Sequence, residues 1–427
     1  MGRFRGSKDN ILHPVTEITF NILFFLYENI RQAWEEGKQC LGVFIDFKKA
    51  FDTVDHSILL AKLEHLGIRG LPLELIRSYL SNRMQYVVFG SSESSHREVL
   101  VGVPQGSILG PLFFLLYIND LSAASAYFRY ILFADDTNLF ASDKSGDSLL
   151  RGVNSELNKL SVWFAHNKLT LNYDKTEFLD FSKPKKNLTR VGWDIKIDGK
   201  SIRDVENSKF LGVYIDKEIS WRVHIGKIVS KISQTVGIIA RARGFMDRPQ
   251  LFLLYNTMVL PHLQYCLINW GNFKGDRNIG LRDRILTLQK SLVRIICGAG
   301  RISHADPLFA ELATLKIDDL FAQSVRIFSY KSSKGMLPGS MASMISKADH
   351  NYSTRGARSN FFVSHSDTRS IKNIAPRYWN SLSSPLKESV SISTFKEKSK
   401  SDLLMPYRDF TCNVRNCRSC ASCASSR

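Results

Sequence analysis

A continuous apolar run that ends abruptly in a carboxylate constrains the fold of this chain most. Residues 40–45 carry no polar side chain, and Asp46 follows them directly. Such a run predicts a strand that is buried on both faces. An ionised carboxylate at the end of a buried strand is costly unless a positive group compensates it. The sequence therefore predicts a sheet that delivers Asp46 to an edge where a cation is needed.

Two further carboxylates, Asp135 and Asp136, lie inside a second apolar stretch. The pattern over residues 130–141 predicts strand, turn and strand, with both aspartates in the turn. An Asp-Asp pair by itself is more often ordinary turn chemistry. Together with Asp46, however, the three carboxylates would repel one another unless divalent cations bound them. Two Mg²⁺ ions about 4 Å apart, or Mn²⁺ in their place, suit in-line phosphoryl transfer.

The elements predicted between residues 40 and 182 follow one another as strand, helices, hairpin, helix and strand. This order is compatible with a split βαβ, ferredoxin-like core. Asp55 is placed to cap a helix, and Asp198-Gly199 predicts a hairpin turn. The predicted helices cover residues 16–36, 56–66, 72–81, 147–166, 219–243 and 251–335.

The charge balance favours a polyanionic partner. The 427 residues include 58 Lys+Arg and 40 Asp+Glu, a formal net charge of +18. Nucleic acid accounts for such an excess, although a basic domain of another kind would share it. The seven cysteines do not resemble a disulfide framework, and no apolar signal core follows the first residues. We therefore expect an intracellular protein of the nucleus, the cytoplasm or both, which is neither secreted nor bound to a membrane.

Five segments resemble the motifs of reverse transcriptases from non-LTR (LINE-type) retrotransposons, and most closely those of Jockey-like elements. Their order and spacing match those of the family, and the resemblance covers residues 4–400. The segments are 44–56 (FIDFKKAFDTVDH, motif A), 102–111 (GVPQGSILGP, motif B), 133–136 (FADD, motif C), 169–176 (LTLNYDKT, motif D) and 210–215 (FLGVYI, motif E, the primer grip).

The resemblance implies an α+β fold, in which a polymerase palm with a split βαβ (ferredoxin-like) core is followed by an α-helical thumb and a mostly helical C-terminal region. Within the last region, residues 345–395 are expected to be rich in loops. The expected divisions are a fingers remnant with a leading helix at 1–38, the palm with motifs A to E at 39–216, the helical thumb or connection at 217–335, the C-terminal region at 336–407 and a cysteine-rich tail at 408–427.

Little sequence precedes motif A. Only 45 residues come before Asp46, and Phe4-Arg5 resembles the very end of the family's fingers block. We therefore expect most of the fingers, and the endonuclease that such elements carry upstream, to be missing. Because the fingers supply basic residues to the incoming triphosphate, their loss would weaken the positioning on which phosphoryl transfer depends.

The family implies roles for individual residues of motifs A to D. The metal ligands would be Asp46, Asp135, Asp136 and the carbonyl of Phe47. Lys175 would complete the catalytic set as a general acid for pyrophosphate. Phe51 would be the steric gate that leaves no room for a ribose 2′-hydroxyl, the alternative being an ordinary core phenylalanine. The residues implied to contact the nucleotide are Phe51, Gln105, Gly106 and Arg5.

Motif E and the helix that follows it are expected to contact nucleic acid. The primer grip would consist of Phe210, Leu211 and Gly212. The helix over 219–243 falls where the family has its thumb, and cations off its apolar stripe would follow a duplex backbone without reading sequence. A merely solvated helix face is the alternative. The cations concerned are Arg222, Lys227, Lys231, Arg241 and Arg243.

The implied function is that of an RNA-directed DNA polymerase, which adds dNTPs to a DNA 3′-hydroxyl on an RNA template. Its partners would be the RNA template, the DNA primer and dNTPs, in a ribonucleoprotein with the element RNA. The alternative is a truncated or domesticated retroelement protein that binds RNA or RNA–DNA duplex without extending it. An RNA-templated RNA polymerase would share the carboxylates, but Phe51 argues against it because admitting rNTPs requires a small residue there.

Four cysteines crowd the C-terminal tail, at positions 412, 417, 420 and 423. A Cys₄ zinc site normally uses two separated pairs with structure between them. The run also resembles one iron–sulfur spacing, but it lacks the Cys-Pro that follows there. We expect a flexible, oxidisable tail, with metal binding as the alternative.

Overall fold

The computed structural model describes residues 15–104, 106–182, 192–273, 278–342, 345–346, 360–363 and 370–409, with only the backbone described at 15–20, 340 and 342. The chain divides into two compact units. Residues 29–208 and 216–219 form one, called here the sheet unit; the described parts of residues 1–28, 209–215 and 220–427 form the other, called the helical unit. None of the helices in the described ranges combines the length and apolar character that a membrane crossing requires.

Within the described residues, the strands all lie between residues 39 and 216. They are β1 (Gln39–Ile45), β2 (Met84–Gln85), β3 (Val88–Phe89), β4 (Ser92–Glu93), β5 (Arg97–Glu98), β6 (Arg129–Phe133), β7 (Asp136–Asp143), β8 (Glu177–Asp180), β9 (Lys196–Ile197), β10 (Lys200–Ser201), β11 (Arg203–Asp204), β12 (Asn207–Phe210) and β13 (Val213–Asp216).

The helices occur in both units. They are α1 (Val15–Glu35), α2 (His56–His65), α3 (Leu71–Leu80), α4 (Leu109–Ile118), α5 (Leu121–Ala124), α6 (Gly146–His166), α7 (Arg222–Ala242), α8 (Arg248–Met258), α9 (Leu260–Gln264), α10 (Leu267–Trp270), α11 (Ile279–Cys297), α12 (Asp306–Glu311), α13 (Ile317–Ser333), α14 (Gly339–Ala342), α15 (Ile371–Asn380), α16 (Ser384–Lys387) and α17 (Ile392–Arg408), with a 3₁₀ turn at Ala50–Asp52.

A five-stranded sheet in the order β11-β8-β1-β7-β6 forms the centre of the sheet unit. Strand β1 pairs antiparallel with both β7 and β8, and β11 runs parallel to β8. Because β1 is central, its residues from Cys40 to Ile45 are buried, as the apolar run predicted. Gly42 is needed there, since a Cβ at this position would lie 2.7 Å from the Phe140 ring and 2.8 Å from the Phe181 ring.

Helices of the sheet unit bury the apolar stripes that their sequences predict. Asp55 caps α2 by accepting a hydrogen bond from the Ile58 amide, and Ser145 caps α6 in the same way. Along helix α6, apolar residues recur every three or four positions. These are Leu149, Val153, Leu157, Leu160 and Phe164, all of which belong to the core.

Four two-stranded sheets accompany the main sheet in the described residues. Strands β3 and β4 pair around the turn at residues 90–91, and β2 pairs with β5 further from that turn. Strands β9 and β10 form the hairpin predicted from Asp198-Gly199, and both turn residues have positive φ, at 52° and 71°. Strands β12 and β13 pair with each other at the passage between the units.

The helical unit is organised around buried polar contacts as well as apolar ones. The Gln289 side chain, on α11, is fully buried and links three helices. Its amide nitrogen donates to the Tyr255 hydroxyl of α8 over 3.1 Å, and its oxygen accepts from the Ile317 amide at the start of α13 over 2.9 Å. The helical segment is interrupted at Pro261, since α8 ends at Met258 and Pro261 lies in the first turn of α9.

The expectation of a loop-rich segment at residues 345–395 is wrong for its described C-terminal part. Helices α15 and α16 lie there, and α15 buries Ile371, Ile374 and Trp379. Ser and Pro residues suggested loops, but Ser370 and Ser383 are N-cap residues and Pro376 is tolerated inside α15. Helices α13 and α17 both belong to the helical unit. Arg326 of α13 forms an ion pair with Asp402 of α17 at 2.7 Å.

Candidate active site

The ends of two neighbouring strands bring three aspartates to one edge of the sheet. The last residue pair between β1 and β7 is Ile45 with Thr137, so that Asp46 and Asp136 follow next to each other in the register. The β6–β7 hairpin closes with Phe133 opposite Asp136, which leaves Ala134 and Asp135 as its two-residue turn. We call Asp46, Asp135 and Asp136 the carboxylate edge.

The carboxylate edge is accessible. Asp135 and Asp136 are exposed and Asp46 is partly buried. Within the described residues, no salt bridge involves Asp46 or Asp135, whereas Asp55 nearby in sequence pairs with Lys168 at 2.6 Å. No three His, Cys, Asp or Glu side chains of these residues form a group ready to hold a metal ion. The aspartates therefore share an edge without converging on one point.

The turn over residues 171–176, within motif D, is attached directly to Asp46. Asn172 donates to Asp46 twice, from its backbone nitrogen to the carbonyl oxygen and from Nδ2 to Oδ2, each over 2.9 Å. The Asp46 amide donates to Thr176 Oγ1 over 3.3 Å. Lys175, on the same turn, is exposed.

Asn172 and Thr176 were not among the residues that the sequence singled out. Both lie in the stretch 169–176 that was assigned to motif D for Lys175 alone. The signal available was the change from apolar Leu169 and Leu171 to a polar turn directly before β8. That change indicates a turn, but it does not identify the residue that the turn contacts.

Phe47 and Phe51 continue from Asp46 into the core. The Phe47 side chain is buried, with its ring 5.2 Å from that of Phe164, and an isolated antiparallel bridge links Phe47 to Leu171. Phe51 is only partly buried, and its ring centroid lies 4.8 Å from that of Phe114. The exposed part of Phe51 is compatible with the gate role, and its contact with Phe114 with the role of a core residue.

Motif B is joined to motif A through backbone contacts. The Val103 amide donates to the Phe51 carbonyl over 2.9 Å, and the Gly102 amide donates to Val54 over 2.8 Å. Gly102 has a φ of +89°, and a Cβ there would lie 2.8 Å from the carbonyl oxygen of Asp52. Only glycine meets both conditions, because the obstacle is backbone that cannot move aside.

Gly106 has a φ of +82°, with nothing within 4 Å of a Cβ placed on it. The backbone conformation of the turn, and not a lack of space, therefore favours glycine at this position. Gly106 is exposed. Gln105 and Arg5, the other expected nucleotide contacts, lie outside the described residues, as do the cysteines of the tail.

Residues 9–215 match the family model described as "Reverse transcriptase (RNA-dependent DNA polymerase)". This segment belongs to the reverse transcriptase family. The matched residues include every motif from A to E, and the resemblance to non-LTR enzymes is confirmed by curated relatives.

Three proteins of Drosophila melanogaster are similar to this chain. "Probable RNA-directed DNA polymerase from transposon BS" is 29% identical over 285 residues, 64% of this chain and 30% of its own length. The X-element protein of the same description is 27% identical, over 66% and 31%. "RNA-directed DNA polymerase from mobile element jockey" is 25% identical, over 67% and 32%. The chain thus spans about a third of the length of these relatives.

Among solved structures, the telomerase from *Candida albicans* in complex with a TWJ fragment of telomeric RNA is 12% identical. It aligns over 78% of this chain and 57% of its own, with a TM-score of 0.34.

Motif E forms a tight hairpin turn. Phe210 ends β12 and is buried, and Leu211 and Gly212 form the turn with φ values of 47° and 82°. Two positive φ values in succession are typical of a type I′ turn. The Tyr265 hydroxyl donates to the Leu211 carbonyl over 2.6 Å, which fixes the turn within the helical unit.

Helix α7 presents cations without acidic residues. Its 21 residues include no Asp or Glu. Five cations on or directly after this helix are exposed: Arg222, Lys227, Lys231, Arg241 and Arg243. In the described part of the chain, none of them forms a salt bridge. Two of them lie near other residues. Lys227 Nζ is 5.8 Å from the centroid of the Tyr214 ring, and a guanidinium nitrogen of Arg243 is 3.8 Å from the point that a Cβ on Gly298 would occupy.

The opposite face of α7 is buried and contains a titratable residue. His224 is 6% exposed, and its Nε2 has no hydrogen-bond partner within the described residues. Its ring meets Trp270 edge-on at 5.5 Å. Burial, reinforced by the positive charge of Lys231, lowers the pKa of His224 to about 4.

Proposed function

We propose that this chain is an RNA-directed DNA polymerase of a non-LTR retrotransposon, which adds dNTPs to a DNA 3′-hydroxyl on an RNA template. The observation that carries the proposal is the carboxylate edge, where the aspartates of motifs A and C lie on adjacent strand ends inside a reverse transcriptase segment. On this proposal the five-stranded sheet and its helices are the palm, with a split βαβ core, and α7 belongs to the thumb.

The donor set suits a hard divalent cation. Asp46, Asp135, Asp136 and the Phe47 carbonyl offer oxygen atoms only, which Mg²⁺ and Mn²⁺ prefer. Asp46 and Asp135 lack a described salt-bridge partner, so a cation would meet a need that the fold leaves unmet. Two bound ions would lower the pKa of the attacking 3′-hydroxyl and stabilise the charge of the leaving pyrophosphate.

Residues outside the carboxylate edge would handle the nucleotide. Phe51 would exclude the 2′-hydroxyl of an rNTP, as the exposed part of its ring permits. Gly106 would allow the template or nucleotide to approach the backbone, and Gln105 and Arg5 would add contacts. Lys175 is exposed on the turn that is bonded to Asp46, a position from which it would protonate pyrophosphate.

The helical unit would bind the nucleic acid. The hairpin turn at Phe210, Leu211 and Gly212 would support the primer, and the cations of α7 would contact phosphates of the RNA–DNA duplex. We further propose that the protein works inside the cell in a ribonucleoprotein with the element RNA. The net charge of +18 supports such a partner.

Primer extension tests the proposal. The purified chain is given an RNA template, an annealed DNA primer, dNTPs and Mg²⁺, beside the variant Asp135→Ala/Asp136→Ala. We expect extension by the wild type and a loss of at least ~10³-fold in the variant, since the aspartates supply several kcal/mol of transition-state stabilisation. Duplex affinity should stay unchanged in the variant. Duplex binding without extension by the wild type would contradict the proposal and favour a non-catalytic retroelement protein.

A further inference from the structure

The Asp46 carboxylate is fixed by a neutral donor from another motif. Asn172 Nδ2 donates to Asp46 Oδ2 over 2.9 Å, while no Lys or Arg of the described residues forms a salt bridge with this carboxylate. A lysine or arginine in the same place would compete with a metal ion for the negative charge. An amide orients the carboxylate and leaves its charge intact, as residues that support metal ligands commonly do.

Asn172 is held in position without the help of its side chain. Its carbonyl accepts from the amides of Lys175 and Thr176, over 3.1 and 2.8 Å. The preceding residues are also anchored, because the Lys48 amide donates to the Thr170 carbonyl over 2.8 Å. Removing the amide group should therefore leave the turn folded.

We propose that Asn172 is a positioning residue for Asp46. Its amide holds Oδ2, so that the carboxylate keeps one orientation and Oδ1 stays available to a divalent cation. The same turn carries Lys175, which ties the motif D turn to the orientation of the motif A carboxylate. This inference rests on the proposed function of the carboxylate edge.

Binding of Mn²⁺ to the whole chain, measured by electron paramagnetic resonance without nucleotide, tests the role directly. We expect Asn172→Ala to bind Mn²⁺ about 10-fold more weakly than the wild type, the usual effect of removing a group that supports a metal ligand. Asn172→Leu keeps nearly the same volume but can neither donate nor bind a metal, and its Mn²⁺ binding should fall as well. The melting temperature of both variants should stay near that of the wild type.

Asn154→Ala provides the matched control. The Asn154 side chain makes two hydrogen bonds at the exposed end of strand β9. Its Nδ2 donates to the Asp194 carbonyl, and its Oδ1 accepts from the Lys196 amide. Its removal should leave Mn²⁺ binding unchanged. Asp46→Ala should abolish the part of the binding that Asn172→Ala weakens.

Three outcomes would overturn the proposal. Wild-type affinity in Asn172→Leu would show that side-chain volume alone matters. Tighter binding in Asn172→Ala would show that the amide holds Asp46 away from the metal. Unchanged binding in Asp46→Ala would remove the site itself. A wild type that binds Mn²⁺ through Asp46 but fails to extend primers would defeat the proposed function alone. Weaker Mn²⁺ binding by Asn172→Ala would still support the positioning role.

Discussion

At the carboxylate edge, Asp46 and Asp135 lack a salt bridge within the described residues, and the exposed cations of α7 lack one as well. Several charges elsewhere in the chain are paired. Arg282 contacts Asp318, Arg326 contacts Asp402 and Lys316 contacts Asp306, all in the helical unit. These pairs compensate charge within the fold itself.

The two regions differ in sign and in surroundings. The carboxylate edge is a small set of oxygens at rigid strand ends, which suits small cations of fixed geometry. Helix α7 spreads its cations over 21 residues with no acidic residue between them, which suits an extended polyanion. The comparison teaches that the arrangement of charges of one sign, compact in one region and extended in the other, indicates which kind of external partner to expect.

The largest effect should follow from placing a charge on the buried face of α7. The pKa of His224 is lowered to about 4, below the ~6.5 of an unfolded chain, so the neutral form stabilises the fold. This stability is complete above pH 6.5 and is lost as the pH falls towards 4, by about 3 kcal/mol. Urea unfolding at pH 7 and pH 4 measures it. Asp319, whose pKa is raised by burial, contributes with the opposite sign.

The variant His224→Phe isolates the histidine from other titrating groups. Its stability should fall less than that of the wild type between these pH values, because phenylalanine keeps the contact with Trp270 and cannot be protonated. An identical loss in both proteins would show that His224 does not sense the pH, and that α7 tolerates charge on either face.

Reversing charge on the exposed face of α7 should affect binding and leave stability unchanged. Lys227→Glu/Lys231→Glu should weaken the affinity for RNA–DNA duplex about 50-fold near 0.1 M salt and make its salt dependence shallower by about two units of slope. Fluorescence anisotropy across a salt series measures both. The control is Lys159→Glu on α6, an exposed lysine that already pairs with Glu156 at 2.6 Å. Equal losses in the two proteins would remove the distinction between paired and unpaired cations.

The smallest effect concerns the stability of the carboxylate edge. Asp135→Asn should raise the melting temperature by about 1–2 °C in the absence of divalent cations, because it relieves repulsion at the edge. Added Mg²⁺ should reduce the difference, since it stabilises only the wild type. Differential scanning fluorimetry with EDTA or Mg²⁺ measures this. Asp147→Asn, in the first turn of α6, should lower the melting temperature instead, because a negative charge is favourable there. A lower melting temperature in Asp135→Asn would mean that the edge is already compensated.

Much of the sheet unit could be predicted from local sequence. The apolar run before Asp46, the Asp135-Asp136 turn and the caps of α2 and α6 each depend on neighbours in the chain, and so a single sequence shows them. The contact between Asn172 and Asp46 joins residues 126 positions apart. It depends on the pairing of strands, which no local pattern reveals.

The same limit applies to the helical unit. The apolar stripe predicted α7 to within three residues at its start, but not that Trp221 precedes it with a φ of +62°. Nor did the sequence show that Arg243 reaches towards Gly298, at the end of α11. Residues 370–386 form helices where loops were expected. The local sequence does not show this, because tertiary contacts stabilise α15 and α16.

Gly102 is a position at which a substitution should disrupt the fold around motif B. On the proposed retrotransposon function, copies of this sequence accumulate changes, and at most exposed positions a change would leave the fold intact. At Gly102 any side chain would meet the Asp52 backbone and also a φ of +89°, so every substitution would push motif B away from motif A. A copy that has lost this glycine should therefore have lost the alignment of its nucleotide site, even with all three aspartates in place.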